Sequence, residues 1–465
     1  MRSKNKKDFL SVAFGQFVTL GISIVRTLVI PLYLSVLNYG YFQSYLFYIT
    51  LTPLFTIGYN DGIYLRYSKY DYGHLPFHLL SSSNWIYIFF QIILTFLILL
   101  FSILFIEDNN LKLVFVSAFS YSFFNSLNAI ILQIYQITRR FTDFTKASIT
   151  SKALSLVFII ILLLSGYDDF IGIIFADLLS FILITCFLIY KNIKLFQITY
   201  CSRLNFTEFF ENIKFGFPLL ISGLIGILYL GGGRLIVQYF GGIENFSYYS
   251  FSLSIASFVS VAISSVSLVV YPMIARYDKN ALNLTYIKFN NILRCSLVGV
   301  ILLYYISVFI ITNFYKQYSG TVEYLSIVFV MMYYKCFLYV LQNTFYKTLQ
   351  LQKFLLLDNS IGIICIFLMG IPIYFFTKSV YLVTLVTLFS LIIRYVISFK
   401  RLSRAMNINI SYNYPEFLLI VAFMLLTSLM GPYSLYTLIL LSLLIFFYVC
   451  LIRKILCQTI KVIFR

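Results

Sequence analysis

Residues 14–47 read FGQFVTLGISIVRTLVIPLYLSVLNYGYFQSYLF. A hydrocarbon core about 30 Å thick is crossed by roughly 20 residues of helix, and the first apolar run here is long enough. Its second half nevertheless carries Arg26. A guanidinium at that depth costs a few kcal/mol on insertion scales, so it should face protein or a water-filled cavity rather than lipid. The sequence predicts a break at Pro31 and a turn at Asn38-Tyr39-Gly40 before the next run begins. A membrane bundle around a cationic interior is the hypothesis that the remaining residues have to meet.

The composition meets it. Of 465 residues 61% are hydrophobic and 11% charged, and the mean hydropathy is +0.92. A soluble domain carries more than twice that charge, so the class is a polytopic membrane protein. A net charge of +18 on a soluble chain would suggest nucleic acid, but here the basic residues lie between apolar runs. The start, Met1-Arg-Ser-Lys-Asn-Lys-Lys, resembles a signal-peptide n-region. No small-residue cleavage site follows and the run is too long, so it reads as a retained first helix. Seven cysteines are present: Cys186, Cys336 and Cys365 inside apolar runs, Cys295 and Cys450 near their inner ends, Cys201 and Cys457 in basic loops. That placement gives no disulfide framework. Without CxxC or a histidine cluster, neither a metal site nor a cofactor is indicated.

Fourteen spans are expected, near 9–35, 41–63, 84–106, 111–137, 149–166, 170–190, 214–239, 247–273, 291–312, 323–346, 355–376, 380–399, 416–431 and 434–452. Very short links, such as Gly166 to Asp169 and Gly431-Pro432, read as tight hairpins. With the amino terminus inside, 26 of the 34 Lys/Arg fall in inward segments. Only Lys112, Lys316 and Lys378 fall outside. This asymmetry predicts both termini in the cytoplasm. Phe14-Gly15 and Phe215-Gly216 open the first and seventh spans, and Arg66-Tyr67 and Arg276-Tyr277 close the second and eighth. Such an echo fits parallel repeats of six spans. The expected organisation is an amino-terminal six-helix lobe (1–200), a second lobe (201–410), and two extra helices with a basic tail (411–465).

Five cations lie within spans: Arg26, Arg234, Arg294, Lys335 and Arg394. Arg294 and Arg394 lie near span ends. Arg294 is expected to snorkel to the interface, and Arg394 either snorkels or lines the interior. Arg26, Arg234 and Lys335 lie deeper and are expected to line a cavity or to cap freed carbonyls. Gly231-Gly232-Gly233 precede Arg234, and Pro218 lies earlier in the same span. Together they suggest a broken helix, or close helix packing. Asp177 is read as the one acid clearly inside a span. It either pairs with an arginine or serves as a coupling carboxylate for H+ or Na+. Asp61 reads as an interface residue. Gln/Asn side chains such as Gln43, Asn125, Asn128, Gln342 and Asn343 suit either a hydroxylated ligand or helix–helix hydrogen bonds.

A cavity rich in Lys/Arg selects an anionic cargo, because guanidinium matches phosphate bidentately and keeps its charge. Enzyme readings find little support. Both histidines, His74 and His78, lie in one basic loop, no outward loop is long enough for a catalytic domain, and no P-loop is present.

Ile30-Pro31-Leu-Tyr33-Leu followed by Asn38-Tyr39-Gly40-Tyr41 resembles the first-hairpin signature of bacterial polysaccharide flippases. Phe215-Gly-Phe-Pro218-Leu-Leu, then Gly233-Arg234 and Tyr248-Tyr249-Ser250, resembles their seventh-span segment. These are the Wzx-type O-antigen and polysaccharide flippases of the multidrug/oligosaccharidyl-lipid/polysaccharide flippase superfamily. The family's usual acid before the arginine is Gly233 here, which puts that acid's positioning role in doubt. The resemblance implies movement of undecaprenyl-pyrophosphate-linked oligosaccharide across a bacterial inner membrane by alternating access between two lobes. It also implies a glycan polymerase and chain-length proteins as partners. On that reading Arg26, Arg234 and Lys335 contact the headgroup or anionic sugar, Arg394 is an entry contact, and Asp177 is a proton site. A small-molecule exporter of the same superfamily and a membrane enzyme of glycan assembly are the alternatives.

Overall fold

A computed structural model describes the backbone of residues 2–68, 70–197, 204–274, 279–408 and 414–463, and the side chains of most of them. Arg276-Tyr277 and Cys201 lie outside the described residues, and Cys457 lies among those whose side chains are not described. Among the described residues the regular structure is all helix and no strand. A chain this apolar has no water to satisfy its backbone, so each crossing closes its own hydrogen bonds within a helix.

The chain divides into two units, Met1–Ile227 and Leu228–Arg465. The first holds α1 (Arg2–Tyr33), α2 (Val36–Thr50), α3 (Tyr59–Tyr67), α4 (Phe77–Phe105), α5 (Asn109–Ile137), α6 (Phe141–Leu164) and α7 (Phe170–Lys191). It also holds the first part of α8 (Phe206–Phe240). The second holds the rest of α8, then α9 (Gly242–Ile274), α10 (Lys279–Phe314) and α11 (Val322–Cys336). After α11 a π-helical segment (Phe337–Gln342) leads into α12 (Asn343–Thr348). The unit ends with α13 (Gln352–Thr377), α14 (Val380–Met406), α15 (Tyr414–Met430) and α16 (Leu435–Ile463). Each of the fourteen expected spans falls on one of these helices or helix pairs. Among the described residues ten helical stretches are long and apolar enough to cross a membrane, and α15 and the apolar start of α16 are shorter.

Burial separates lipid-facing helices from central ones. Phe89, Phe96, Phe101, Leu104 and Phe105 on α4 are all more than half exposed, as a surface bathed in acyl chains requires. The stretch Lys316–Thr348 is almost wholly buried and forms the centre of the second unit. In the first unit Tyr59, Tyr87, Ile130, Ile134, Tyr135 and Leu188 form the core, with Tyr59 stacked on Tyr87 at 4.2 Å between ring centroids.

Three local expectations are corrected. The chain does not turn at Asn38-Tyr39-Gly40. Helix α1 runs through Pro31, and the link is Leu34-Ser35, where Ser35 caps α2 by accepting from the Asn38 amide. Nor is α8 broken. It runs unbroken through Pro218 and Gly231–Gly233. Its glycines serve close packing instead: a Cβ on Gly233 would lie 2.3 Å from Thr387, and one on Gly232 3.1 Å from Ile366. The break falls in the second span. After α2 a 3-10 turn (Thr52–Thr56) contains Pro53, and the chain reverses hand at Ile57 and Gly58, with φ of 47° and 81°. Gln91 donates to the freed carbonyl of Phe55, and Asn125 donates to Thr52.

Beyond that break α3 and α8 touch backbone to backbone within the first unit. A Cβ on Gly62 would lie 1.8 Å from the Asn212 carbonyl oxygen, and one on Gly216 1.9 Å from that of Gly58. Only glycine permits this approach.

Candidate functional site

In the first unit the interior cation is Arg26. Its Nη1 lies 2.9 Å from Oδ1 of Asp177 on α7 and its guanidinium is 5.3 Å from the centre of the Phe42 ring. Ser155 on α6 lies between the two charges. Its hydroxyl donates to Asp177 and its Oγ accepts from Arg26 at 3.5 Å. Arg26 Nε and Nη2 are buried without a hydrogen-bond partner, so the guanidinium retains donors for another acceptor. Asp177 is 6% exposed. Pairing with an arginine, one of the two roles open to it in the sequence, is therefore present in this conformation.

In the second unit the cations are arranged differently. Arg234 donates from Nη2 to Ser250 at 3.1 Å and lies 5.5 Å from the Phe246 ring centre. Lys335 stands in the last turn of α11, two residues before the π segment begins at Phe337. It is 8% exposed, and among the described residues it has no hydrogen-bond or ion-pair partner. Arg234 is close enough to act on it electrostatically. A π turn shifts the register of every side chain that follows and recurs at functional sites. One residue past this turn, Asn343 accepts from Nη2 of Arg394 at 2.9 Å, and the guanidinium stacks over Tyr229 at 5.1 Å. Arg394 is 1% exposed. As an entry contact it would have to be uncovered first, since this conformation encloses it fully.

Asp177 is not the one interior acid. Asp358 at the start of α13 is fully buried, is bonded by Arg401, and accepts from Tyr346 and Ser398. Glu416 on α15 lies 3.4 Å from Arg294 and accepts from Tyr333 at 3.0 Å. Glu208 on α8 is bonded by Arg66 and Tyr67. Arg294 therefore does not snorkel; it is buried against Glu416, Tyr448 donates to its carbonyl, and a cavity of about 230 Å³ opens beside the pair. These three acids sit near helix starts: Glu208 just before the seventh expected span, and Asp358 and Glu416 at the beginnings of the eleventh and thirteenth. Their one available signal was an arginine or tyrosine at helical spacing on a neighbouring run. Each buried carboxylate among the described residues is thus matched to an arginine. Lys335 and Arg394 are the buried cations that are not, and of these Arg394 has the Asn343 oxygen and the Tyr229 ring instead. Among the described residues no group of three His, Cys, Asp or Glu could hold a metal ion.

Long apolar helices with charged groups buried among them define a multi-pass α-helical membrane protein. A family model described as polysaccharide biosynthesis protein matches residues 6–278, and the chain belongs to that family. No curated protein sequence matches it. Among solved structures it is similar to the lipid II flippase MurJ in an inward closed conformation. The TM-score is 0.70 at 17% identity, over 97% of this chain and 99% of that one. It is also similar to an outward-facing multidrug resistance MATE family transporter of the MOP superfamily, with a TM-score of 0.53 at 13% identity over 87% and 97%. A third is a MOP superfamily transporter from Pyrococcus furiosus with a binding pocket of reverse polarity, at 0.52 and 13% over 86% and 96%. At these identities the likeness establishes the fold.

Proposed function

We propose that this protein moves undecaprenyl-pyrophosphate-linked oligosaccharide units from the cytoplasmic to the outer leaflet of a bacterial inner membrane, by alternating access. The observation that carries the reading is Lys335, a buried ammonium beside Arg234 with no acid of its own. An ion in that position costs several kcal/mol in real proteins, and a passing anionic headgroup is what would offset that cost. Family membership in polysaccharide biosynthesis supports a glycan carrier as the anion, and the MurJ-like fold suits a lipid-linked one. Arg234 and Lys335 of the second unit would replace the hydration of the pyrophosphate, and Arg394 would join once uncovered. The charge ledger of the loops would keep both termini in the cytoplasm. The Arg26–Asp177 pair is the candidate point of coupling to H+ or Na+, and a glycan polymerase with chain-length proteins would act on the product outside. An exporter of cationic drugs is less well supported, because the buried acids are already matched to arginines.

The test is complementation in a strain lacking its own flippase. Arg234→Met and Lys335→Met should each reduce surface glycan at least tenfold while the protein still accumulates in the membrane. Full export by both variants would reject the proposal.

A further inference from the structure

The two units carry one hairpin twice, in the same register, and it differs where a charged cargo would notice. Helices α6 and α7 form the first copy and α13 and α14 the second. Each hairpin is tied by an ion pair between the start of its first helix and the end of its second: Asp143 with Lys191 at 3.0 Å, and Asp358 with Arg401. Counted from the helix starts, Ser155 and Ile366 are both fifteenth residues, and Asp177 and Thr387 are both eighth. The arginine-bearing helices match as well. Arg26 lies seven residues before the end of α1, and Arg234 six before the end of α8. Each such helix lies against its hairpin through glycine, with Gly15 on Thr145 in one case and Gly232 and Gly233 on Ile366 and Thr387 in the other.

At the matched positions the chemistry diverges. In the first unit Ser155 and Asp177 engage Arg26. In the second, Ile366 and Thr387 stand in their places, under the two glycines that precede Arg234. Tyr249, which neighbours both Arg234 and Gly233, hydrogen-bonds with Thr387. Thr387 also lies 3.4 Å from the sulfur of Met331, one helical turn before Lys335 on α11, which adds a second cation to this region. One copy therefore carries its own carboxylate, and the other carries a neutral hydroxyl and a second cation.

We infer that the copies divide the labour: Asp177 is a resident counter-ion that fills the first arginine site. Thr387, a neutral residue in the corresponding place, makes the Arg234–Lys335 site the one that takes the phosphate-type anion. Thr387 is thus a specificity-determining residue. The inference rests on the flippase reading for the identity of the cargo, but not for the asymmetry itself. A phosphate group brings up to two negative charges and several acceptor oxygens, which an arginine and a lysine together can satisfy. A carboxylate at position 387 would reproduce the first site and compete with that anion.

The experiment uses the full-length protein in nanodiscs of zwitterionic lipid, with undecaprenyl pyrophosphate and inorganic pyrophosphate as probes in equilibrium binding. Thr387→Asp should weaken binding of either probe at least tenfold. Thr387→Asn has the same shape without the charge and should weaken it less than threefold. Asp177→Asn should hold the probe as tightly as the unaltered protein or more tightly, because it releases Arg26. Equal binding by the Asp and Asn variants at 387, or loss of binding in Asp177→Asn alone, would overturn the division of labour while leaving the flippase reading intact. If only inorganic pyrophosphate binds, and Thr387→Asp removes it, the asymmetry stands and the lipid-linked cargo falls. If neither probe binds, both fall. A Thr387→Asp protein that fails to fold is recognised by its size-exclusion profile. The reciprocal Thr387→Lys, which adds charge of the favoured sign and should tighten binding, then decides the matter.

Discussion

Replacing Asp177 by alanine tests whether the Arg26 pair is a real energetic unit. Removing one partner of a buried ion pair costs about 3–5 kcal/mol, because the other charge is left uncompensated. Here the Arg26 side chain is 21% exposed and keeps Ser155 and the Phe42 ring. Partial hydration and those contacts lower the expected loss to about 2–3 kcal/mol. For a unit of 227 residues, and on the scale of roughly 2–4 °C per kcal/mol, the unfolding midpoint in detergent should fall by about 4–12 °C. The reporter is built in. Trp85 is the single tryptophan, and its indole donates to the Phe196 carbonyl at 2.9 Å inside the same unit. Arg26→Met with Asp177→Leu removes both charges from a largely buried place and should regain at least half of the loss. Equal destabilisation of the single and double variants would refute the argument, since the damage would then come from packing. So would an unchanged midpoint in Asp177→Ala.

Gly62→Ala should force α3 away from α8, since its Cβ would meet the Asn212 carbonyl oxygen at 1.8 Å. The expected loss is about 3 kcal/mol or more, read as aggregated protein in size exclusion of the detergent extract. Gly299→Ala on α10 meets nothing within 4 Å and should raise the melting temperature slightly, by about 0.5–1 kcal/mol of stability. Gln91→Leu leaves the Phe55 carbonyl at the break in the second span without its donor and should cost about 1–3 kcal/mol, measured by the Trp85 midpoint. Asp358→Asn keeps the acceptor for Tyr346 and Ser398 but leaves Arg401 without its charge. That arginine side chain is one-third exposed, so the variant should lose only about 1–2 kcal/mol and still reach the membrane.

What the sequence disclosed and what it concealed follow from the range of the forces involved. Membrane class and helix positions depend on sums over some 20 residues, which no single side chain can reverse. That is why the fourteen spans fall on helices. The positions of breaks depend on one or two backbone groups and on what satisfies them across the bundle. Gly231–Gly233 look like a break in isolation, yet Thr387 and Ile366 hold them as a helix. Pro53 and Gly58 look unremarkable inside a long apolar run, yet Gln91 and Asn125 allow the chain to open there. The acids were misjudged for the same reason. Asp358 and Glu416 stand at the beginnings of expected spans, where an acid can reach the interface, and are buried by their partners, Arg401 and Arg294.

Charge balance at depth is consequently a property of pairs, not of composition. Five interior cations against one acid suggested a uniformly positive chamber. Pairing removes Arg294 and moderates Arg26, which concentrates the positive field on the second unit around Lys335 and Arg234. A buried ammonium with no acid is costly to keep through every folding event, whereas a buried pair is close to neutral. Two copies of one hairpin differ at this point: one holds Asp177 against its arginine, and the other has Thr387 in that place, which on the proposed reading leaves the anion to come from outside.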